Sequence, residues 1–476
     1  MSDIASSSDA DMGVVKRTTR NYATYVFFVM FSINLLNYMD RYVFVGAADT
    51  VSHELGFGTA DIGYLASAFL VVYTLGTLPL GILADRTKRK NVVAICVAIW
   101  SLATAFTALA GNFVTLFLSR MVLGIGEAGY YPAGTALLSD YFNRARRARI
   151  MSWWTAGALI GLMIGFIVGG IFAGLGYGKW RLAFLFTGIP GLFLAFLSWR
   201  LREPRRNQAD EEAIELDPHS PVNEVEVEDP PHTLVVPKDI RSQFGLLLHI
   251  KTLVVLIGMQ IFAFFVLGAN VVYLPTYLQQ RDTYHLSSTQ AGIFSGAVIV
   301  IAGIAGLLVG GYLSDVLSRR YPGARVLVCG IGFLLGAPAF VLAITTHNIV
   351  IFSVFFILTV LLLNVYNGPS TAATQDVVPA VLRASAVAVS LLLAHLLGDA
   401  FAPALIGALA GSFDPTGVHF AQHATGQDLS KALLITCPVA LVIAGLIGIF
   451  GARWMKADVA AAQEADKLAQ VSTQMM

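Results

Sequence analysis

Residues 34–42 read NLLNYMDRY, and they lie inside an apolar run that extends from about residue 22 to residue 48. Such a run is long enough for a helix that crosses a bilayer, which needs about 20 residues. Asp40 and Arg41 therefore fall within a predicted membrane helix, where each charge costs roughly 2.5–3.5 kcal/mol on insertion scales. Charges in this position commonly mark a substrate or proton path, although a salt bridge that only joins two helices gives the same pattern.

The composition is that of a polytopic membrane protein. The chain has 476 residues, of which 56% are hydrophobic and 13% are charged, whereas a soluble domain carries about 25% charged residues. The net charge of +1 implies no nucleic-acid surface. Cys96, Cys329 and Cys437 lack the spacing of a metal site or a disulfide framework, and we interpret them as small core residues.

The motifs that would indicate catalysis or a cofactor are missing from the sequence. It contains no glycine-rich phosphate-binding loop of the Gly-x-x-x-x-Gly-Lys-Ser/Thr type, so direct ATP drive is not expected. No metal-ligand cluster and no nucleophile constellation can be argued. We therefore expect no cofactor, no metal and no enzyme activity, including that of a membrane-bound lipid hydrolase or acyltransferase.

Twelve apolar runs are candidate membrane spans, and they predict an all-α membrane protein of two pseudo-symmetric six-helix bundles. The candidate spans, numbered 1 to 12 in chain order, cover about residues 22–48, 58–84, 91–111, 113–139, 150–175, 181–200, 250–279, 287–316, 324–345, 348–374, 381–410 and 431–455. The long segment between spans 6 and 7 is rich in Glu, Asp and Pro, which predicts a mobile linker. The predicted segments are an N-terminal tail (1–21), an N-terminal bundle (22–200), the linker (201–249), a C-terminal bundle (250–455) and a C-terminal tail (456–476).

Lys and Arg concentrate in the loops on one side of the predicted membrane, in clusters at residues 86–90, 144–149, 200–206 and 319–325. Basic loops remain in the cytoplasm, so both termini and the linker are predicted to be cytoplasmic. The first 20 residues have no apolar region and do not form a cleavable signal peptide. Short termini and compact loops favour a bacterial inner membrane.

The two halves of the chain share a motif. Residues 81–89 read GILADRTKR and residues 311–319 read GYLSDVLSR, so that Gly, Leu, Asp and Arg recur at the same spacing after a shift of 230 residues. Asp140 and Arg147 match Asp376 and Arg383 more loosely. Duplicated halves are typical of secondary transporters, which bind substrate between the halves near the membrane midplane.

The repeated motif suits a latch on the cytoplasmic side. Glycine permits close helix approach, an Asp at a helix end can pair with a base or a helix N-terminus, and Arg side chains stay in water or at headgroups. A topology signal from basic residues alone would not need the repeated glycine and Asp. The predicted gating residues are Gly81, Asp85, Arg86, Arg89, Asp140, Arg147, Asp315 and Arg319.

The whole chain resembles the major facilitator superfamily, and three sequence features carry the resemblance. They are the loop motif at residues 81–90, the fourth-helix motif RMVLGIGEA at residues 120–128, and the glycines spaced by four at positions 157, 161, 165 and 169. The resemblance implies two six-helix bundles that work by alternating access. The glycines give one flat face of span 5 for close packing.

The resemblance is narrower at four places. NLLNYMDRY, the sequence GEA at residues 126–128, HLLGDA at residues 395–400 and REPR at residues 202–205 are similar to the Spinster family. That family transports lysophospholipids and sphingoid lipids such as sphingosine-1-phosphate. A branch of organic-anion symporters shares the Asn-Tyr-x-Asp-Arg first helix and has a Glu-Ala-Gly-Tyr/Phe-x-Pro fourth helix, which EAGYYP at residues 127–132 matches.

Four charged residues are expected to form a cluster that links spans 1 and 4: Asp40, Arg41, Arg120 and Glu127. Arg120 and Glu127 share a helix face but lie about 10 Å apart along the axis, so each is expected to meet a charge on span 1. The planar guanidinium of Arg41 suits an anionic headgroup. Asp40 and Glu127 are candidates for proton binding, because burial favours a neutral carboxyl group. A fixed structural ion-pair network is the alternative.

The C-terminal half has fewer charges. Asn270 takes the place of Asp40 after the repeat shift, which predicts a charged N-terminal side and a mainly apolar C-terminal side of the cavity. His395 and Asp399 share a helix face and could form a proton relay or a structural pair. The predicted substrate-binding residues are Asn37, Tyr38, Arg41, Arg120, Tyr131, Asn270, Tyr273 and Asn367, and the predicted proton-coupling residues are Asp40, Glu127, His395 and Asp399.

The combined prediction is a secondary active transporter that moves an amphipathic anionic lipid, lysophospholipid or sphingosine-1-phosphate-like, by proton-coupled alternating access. The alternative is a proton-linked symporter for a small organic anion such as a sugar acid. The expected partners are the lysolipid, sphingolipid or organic-anion substrate, protons and membrane lipids, and the protein is expected to be a monomer.

Overall fold

The computed structural model describes residues 2–206, 208–209, 240–280, 282–379, 382–413 and 426–474. The regular elements in these residues are helices. The α-helices are Ser2–Leu55, Thr59–Arg86, Arg89–Thr107, Phe113–Ala128, Tyr130–Tyr141, Arg144–Gly174, Trp180–Arg200, Ile240–His249, Lys251–Gln279, Ser288–Ser318, Ala324–Thr345, Ile349–Asn364, Asn367–Val377, Arg383–Ala394, Ala402–Phe413, Gly426–Gly451 and Met455–Gln474. A π-helix covers His395–Asp399 and a 3₁₀-helix covers Ala452–Trp454.

Twelve stretches are long and apolar enough to cross a membrane, which confirms the predicted number of spans. They keep the numbers 1 to 12 and cover Asn21–Leu55, Ala60–Arg86, Arg89–Thr107, Phe113–Tyr141, Arg149–Gly174, Trp180–Arg200, Lys251–Gln279, Ser288–Ser318, Ala324–Thr345, Ile349–Val377, Ser385–Phe413 and Asp428–Lys467. Both predicted tails continue as helices, because the helix of span 1 begins at Ser2 and the last helix begins at Met455, within span 12, and runs to Gln474. Residues 207 and 210–239 of the predicted linker lie outside the described residues, and the predicted segment bounds stay a prediction.

Spans 4, 10 and 11 are interrupted. Span 4 breaks at Gly129 and span 10 breaks at Val365–Tyr366, in each case shortly before a proline, Pro132 or Pro369. A proline ring clashes with the carbonyl four residues earlier and removes a hydrogen bond, which explains both breaks. The π-helix in span 11 inserts an extra residue into a turn, a geometry that is frequent at functional sites.

Span 5 packs closely along span 1. Gly161, Gly165 and Gly169 lie against backbone carbonyl groups of span 1. At Gly165 an added Cβ would lie 2.7 Å from the carbonyl oxygen of Met39, a distance that no side chain tolerates without movement. This contact fixes the rotation of span 1 at residues 39–43 and therefore the directions in which Asp40 and Arg41 point.

Among the residues that the structure describes, four hydrogen bonds between the two bundles lie on one face of the protein. We call this face the far side; the opposite face, where spans 6 and 7 meet residues 201–249, is the linker side. The bonds are Gln280 Nε2 to Asp49 Oδ1 at 3.0 Å, Thr50 Oγ1 with Ser288 Oγ at 3.3 Å, Thr289 Oγ1 to the Gly170 carbonyl at 3.3 Å and Ala404 N to Ser67 Oγ at 3.1 Å. The bundles are thus in contact across the far side.

Candidate functional site

Arg41 and Glu127 form an ion pair between spans 1 and 4. Arg41 Nη2 and Nε donate to Glu127 Oε2 at 2.6 and 3.0 Å. The side chain of Glu127 is fully buried and that of Arg41 is 12% exposed. Glu127 occupies the last turn before the break at Gly129, so the kink in span 4 positions the carboxylate. The structure thus brings together two members of the expected four-residue cluster.

Three aromatic rings surround the guanidinium of Arg41. Its central carbon lies 5.0 Å from the ring centroids of Tyr38 and Phe69 and 4.7 Å from that of Tyr73. Rings at this distance attract a cation, and more strongly where water is excluded. Phe69 and Tyr73 come from span 2, and sequence reasoning missed both. The four-residue spacing of Phe69 and Tyr73 places them on one face of the span 2 helix. The sequence does not show that this face points towards Arg41.

Asp40 and Arg120 form a second, looser arrangement. Asp40 is fully buried and Arg120 is 3% exposed. Thr187 and Trp100 are the hydrogen-bonding neighbours of the Asp40 carboxyl group, although none of these contacts has regular hydrogen-bond geometry. Nε and Nη2 of Arg120 likewise make no regular bond to a described residue. Arg120 interacts electrostatically with Glu127 and with Asp40, and its guanidinium lies 4.8 Å from the Phe44 ring centroid. The site therefore holds one contact ion pair and, beside it, a buried carboxyl group and a buried guanidinium that form no contact ion pair with each other.

Two further predicted residues of the N-terminal bundle lie near this site. Asn37 is 3% exposed and interacts with the Glu127 carboxylate. Tyr131, which follows the break in span 4, is 47% exposed and packs its ring 5.1 Å from that of Trp154. Their assignment to substrate binding stays a prediction.

The predicted substrate-binding residues of the C-terminal bundle form their hydrogen bonds within that bundle. Asn270 donates to the Val266 carbonyl at 2.7 Å, and Asn367 Nδ2 lies 3.0 Å from Asn364 Oδ1. Tyr273 is fully buried and its hydroxyl donates to the Pro403 carbonyl at 2.7 Å. Each of these contacts uses one donor of the side chain in the present conformation, so a substrate acceptor that bound this donor would have to displace it.

His395 and Asp399 lie at the two ends of the π-helix in span 11. His395 Nδ1 lies 3.0 Å from Asp399 Oδ2, and the Phe264 ring packs edge-on to the imidazole at 5.0 Å. The predicted hydrogen bond is present. The assignment of this pair to proton coupling stays a prediction.

The predicted gating residues of the N-terminal bundle lie on the linker side. Arg89 forms an ion pair with Asp140 of span 4, and its Nη2 is 4.0 Å from Asp85. Arg147 donates to the Ser139 carbonyl at 2.9 Å. Gly81 lies against Pro132 of span 4, and Arg86 is exposed at the end of span 2.

Glu203 caps span 3 in the same region, a role that sequence reasoning did not assign. Its two carboxylate oxygens accept hydrogen bonds from the backbone N–H groups of Arg89 and Lys90 at 2.8 and 3.0 Å. A carboxylate at a helix N-terminus satisfies unpaired N–H groups and complements the helix dipole. The segment after span 6 is therefore tied to the residue that pairs with Asp140.

In the C-terminal bundle the equivalent ion pair uses Arg325, not the predicted Arg319. Arg325 pairs with Asp376, 51 residues later, as Arg89 pairs with Asp140, 51 residues later. Arg319 and Asp315 are exposed, and neither forms an ion pair with a described residue. Arg325 lies ten positions after Asp315, whereas Arg89 lies four positions after Asp85, so an alignment at the constant motif spacing reaches Arg319 and not the arginine that pairs with Asp376. The looser match of Asp140 with Asp376 has the same offset between the two halves as Arg89 and Arg325, so it aligns the residues that form the ion pairs.

In the described part of the chain, no group of three or more His, Cys, Asp or Glu side chains is placed to hold a metal ion. The three cysteines are buried and unpaired with one another.

Known proteins resemble this chain in both sequence and structure. The family model described as Major Facilitator Superfamily matches residues 30–403. The probable L-galactonate transporter of Escherichia coli (strain K12) is 29% identical over 355 residues, covering 72% of this chain and 75% of the relative. The sphingosine-1-phosphate transporter SPNS2 of Danio rerio is 26% identical over 454 residues, covering 87% and 81%.

A similar fold is found in the crystal structure of a bacterial homolog to the human lysosomal transporter Spinster, in an inward-facing and unoccupied conformation. Its TM-score is 0.75 at 23% identity, and the match covers 93% of this chain and 98% of that one.

Proposed function

Because the chain belongs to the Major Facilitator Superfamily and is therefore a transporter and not an enzyme, we propose that it carries an amphipathic anionic lipid by proton-coupled alternating access. The lipid would be of the lysophospholipid or sphingosine-1-phosphate type. The linker side would face the cytoplasm of a bacterial cell, because the basic loops lie there.

The arrangement around Arg41 carries this proposal. Two nitrogens of its guanidinium hold Glu127, and Tyr73 is a further hydrogen-bonding neighbour. Nη1 does not bond to Glu127, so it would be the nitrogen that meets an incoming phosphate or carboxylate. A guanidinium binds such groups through paired hydrogen bonds and stays charged when buried. The rings of Tyr38, Phe69 and Tyr73 hold it in place and exclude water from its faces.

Proton coupling would follow from competition for Arg41. An anion that draws the guanidinium away leaves the carboxylate of Glu127 buried without a partner, which is costly unless it takes a proton. Asp40, which is fully buried in the same region, would be a second proton acceptor. A substrate and a proton that bind together would change the relative stability of the two conformations.

The seam between spans 2 and 11 favours a lipid. The two spans touch towards the far side, where Gly63 lies against Pro403 and Ser67 bonds to Ala404. Towards the linker side, span 2 exposes apolar residues and so does span 11; they are Leu75, Leu78, Ile82, Leu391 and Leu392. An alkyl chain could lie in this apolar seam while its headgroup reaches Arg41.

A small organic anion is the second candidate, and two observations favour it. EAGYYP at residues 127–132 matches the fourth helix of the organic-anion branch. The relative from Escherichia coli is named a probable L-galactonate transporter. The same Arg41–Glu127 pair would then bind a carboxylate, with no need for the apolar seam.

Uptake into proteoliposomes under an imposed pH gradient would separate the candidates. We expect a labelled lysophospholipid to move, a labelled sugar acid not to move, and Arg41→Ala to abolish the lipid flux. Arg200→Ala, at the exposed end of span 6, is the matched control and should retain it. Movement of the sugar acid alone would refute the lipid assignment, and lipid movement that is independent of the pH gradient would refute proton coupling.

A further inference from the structure

We propose that Asp49 and Gln280 form the polar lock of a gate on the far side of the transporter. Asp49 lies on span 1 and Gln280 directly follows span 7, so their hydrogen bond joins the two bundles. The lock concerns the conformational cycle alone and does not depend on which substrate is carried.

The lock is a charged hydrogen bond in a nearly dry place. Gln280 is 3% exposed and the side chain of Asp49 is 15% exposed. His53, one turn later on span 1, has its Nε2 3.9 Å from Asp49 Oδ2 and belongs to the same bundle. Among the described residues, Gln280 is therefore the donor that reaches this carboxylate from across the interface, and its loss would leave a buried charge poorly compensated.

Each partner is firmly attached to its own bundle. On the span 1 side, Glu54 accepts hydrogen bonds from the Gly178 backbone N–H at 2.7 Å and from Trp180 Nε1 at 2.6 Å. On the other side, the Tyr284 hydroxyl donates to the Thr346 carbonyl at 2.8 Å. Burial raises the pKa of the Tyr284 phenol, so it remains a donor. Movement of one bundle against the other would therefore break the Asp49–Gln280 bond, because the segments that carry the two residues cannot shift to keep them in contact.

The neighbouring seam between spans 5 and 8 is closed by backbone contact. An added Cβ at Gly292 would lie 2.5 Å from the Phe166 carbonyl oxygen, so only glycine allows the two spans to approach this closely. Thr50 and Ser288 bond beside this seam. Glycine contact makes the closed geometry possible, and the Asp49–Gln280 bond supplies the directional interaction that holds it.

Removing the lock should shift the population towards an open far side. A hydrogen bond to a charged group changes an equilibrium by about tenfold or more. Gln280→Ala removes the donor and leaves the carboxylate, so it should raise the open fraction about tenfold. Asp49→Ala should act in the same direction, whereas His53→Ala removes a neighbour within the same bundle and should have little effect.

A cysteine at position 67 can report the opening in detergent-solubilised protein. Ser67 is 8% exposed and bonds across the seam between spans 2 and 11, away from the lock itself. Its thiol in Ser67→Cys should react with a charged maleimide at a rate proportional to the open fraction. Thr107→Cys is the matched control, because Thr107 is fully buried and bonds to Ser119 inside the N-terminal bundle.

We expect Gln280→Ala and Asp49→Ala to speed labelling at position 67 about tenfold, with position 107 unchanged in every background. Equal labelling at position 67 in all variants would overturn the proposal. So would a parallel rise at position 107, because general loosening and not gate opening would then explain the change. A rise in His53→Ala as large as that in Gln280→Ala would show that the cross-bundle donor is not the lock.

Discussion

Replacing Glu127 by glutamine, alone and together with Arg41→Ala, tests the ion pair at the centre of the site. Removing one partner of a buried ion pair leaves the other charge uncompensated and costs about 3–5 kcal/mol. In Glu127→Gln the stranded group is Arg41, which keeps three aromatic contacts and 12% exposure. We therefore expect the free energy of unfolding of Glu127→Gln to fall by about 3 kcal/mol, the lower end of this range.

The double variant removes both members of the bonded pair, so its loss of stability should fall short of the sum of the two single losses by about 2 kcal/mol. The measurement is thermal unfolding of the detergent-solubilised protein for the four members of the double-mutant cycle. Asp85→Ala is the control, because the side chain is 70% exposed and should change stability little. Losses that simply add would refute the reasoning, since groups that share a buried bond are not independent.

Two further predictions concern the linker side. Glu203→Ala should destabilise the N-terminus of span 3 by about 1 kcal/mol, because two backbone N–H groups lose their acceptor; amide hydrogen exchange at residues 89–91 should quicken, and unchanged exchange would exclude the cap. Arg325→Ala should slow transport as strongly as Arg89→Ala, whereas Arg319→Ala should leave the transport rate near that of wild type. A measured rate that falls in Arg319→Ala but not in Arg325→Ala would show that Arg319, as the repeated motif predicts, is the equivalent of Arg89.

Hydropathy and residue order determined much of the architecture. The twelve spans, the all-helical class and the duplicated halves follow from local patterns, because the length of an apolar run and the spacing of a motif do not depend on distant residues. The placement of Asp40, Arg41 and Glu127 inside the membrane was likewise visible in the sequence. The breaks at Gly129 and before Pro369 also have local causes.

Only the tertiary structure decided which side chains meet. Adjacent residues on a helix point about 100° apart, so the rotation of span 1 against span 5 decides that Arg41, and not Asp40, makes the contact with Glu127. Phe69 and Tyr73 joined the site because span 2 packs beside span 1, and Arg325 replaced Arg319 because a longer loop shifted the register. Asp49 and Gln280, which form a hydrogen bond, are 231 residues apart in the sequence. Pairings of this kind depend on how whole helices pack, and no local pattern in the chain specifies that.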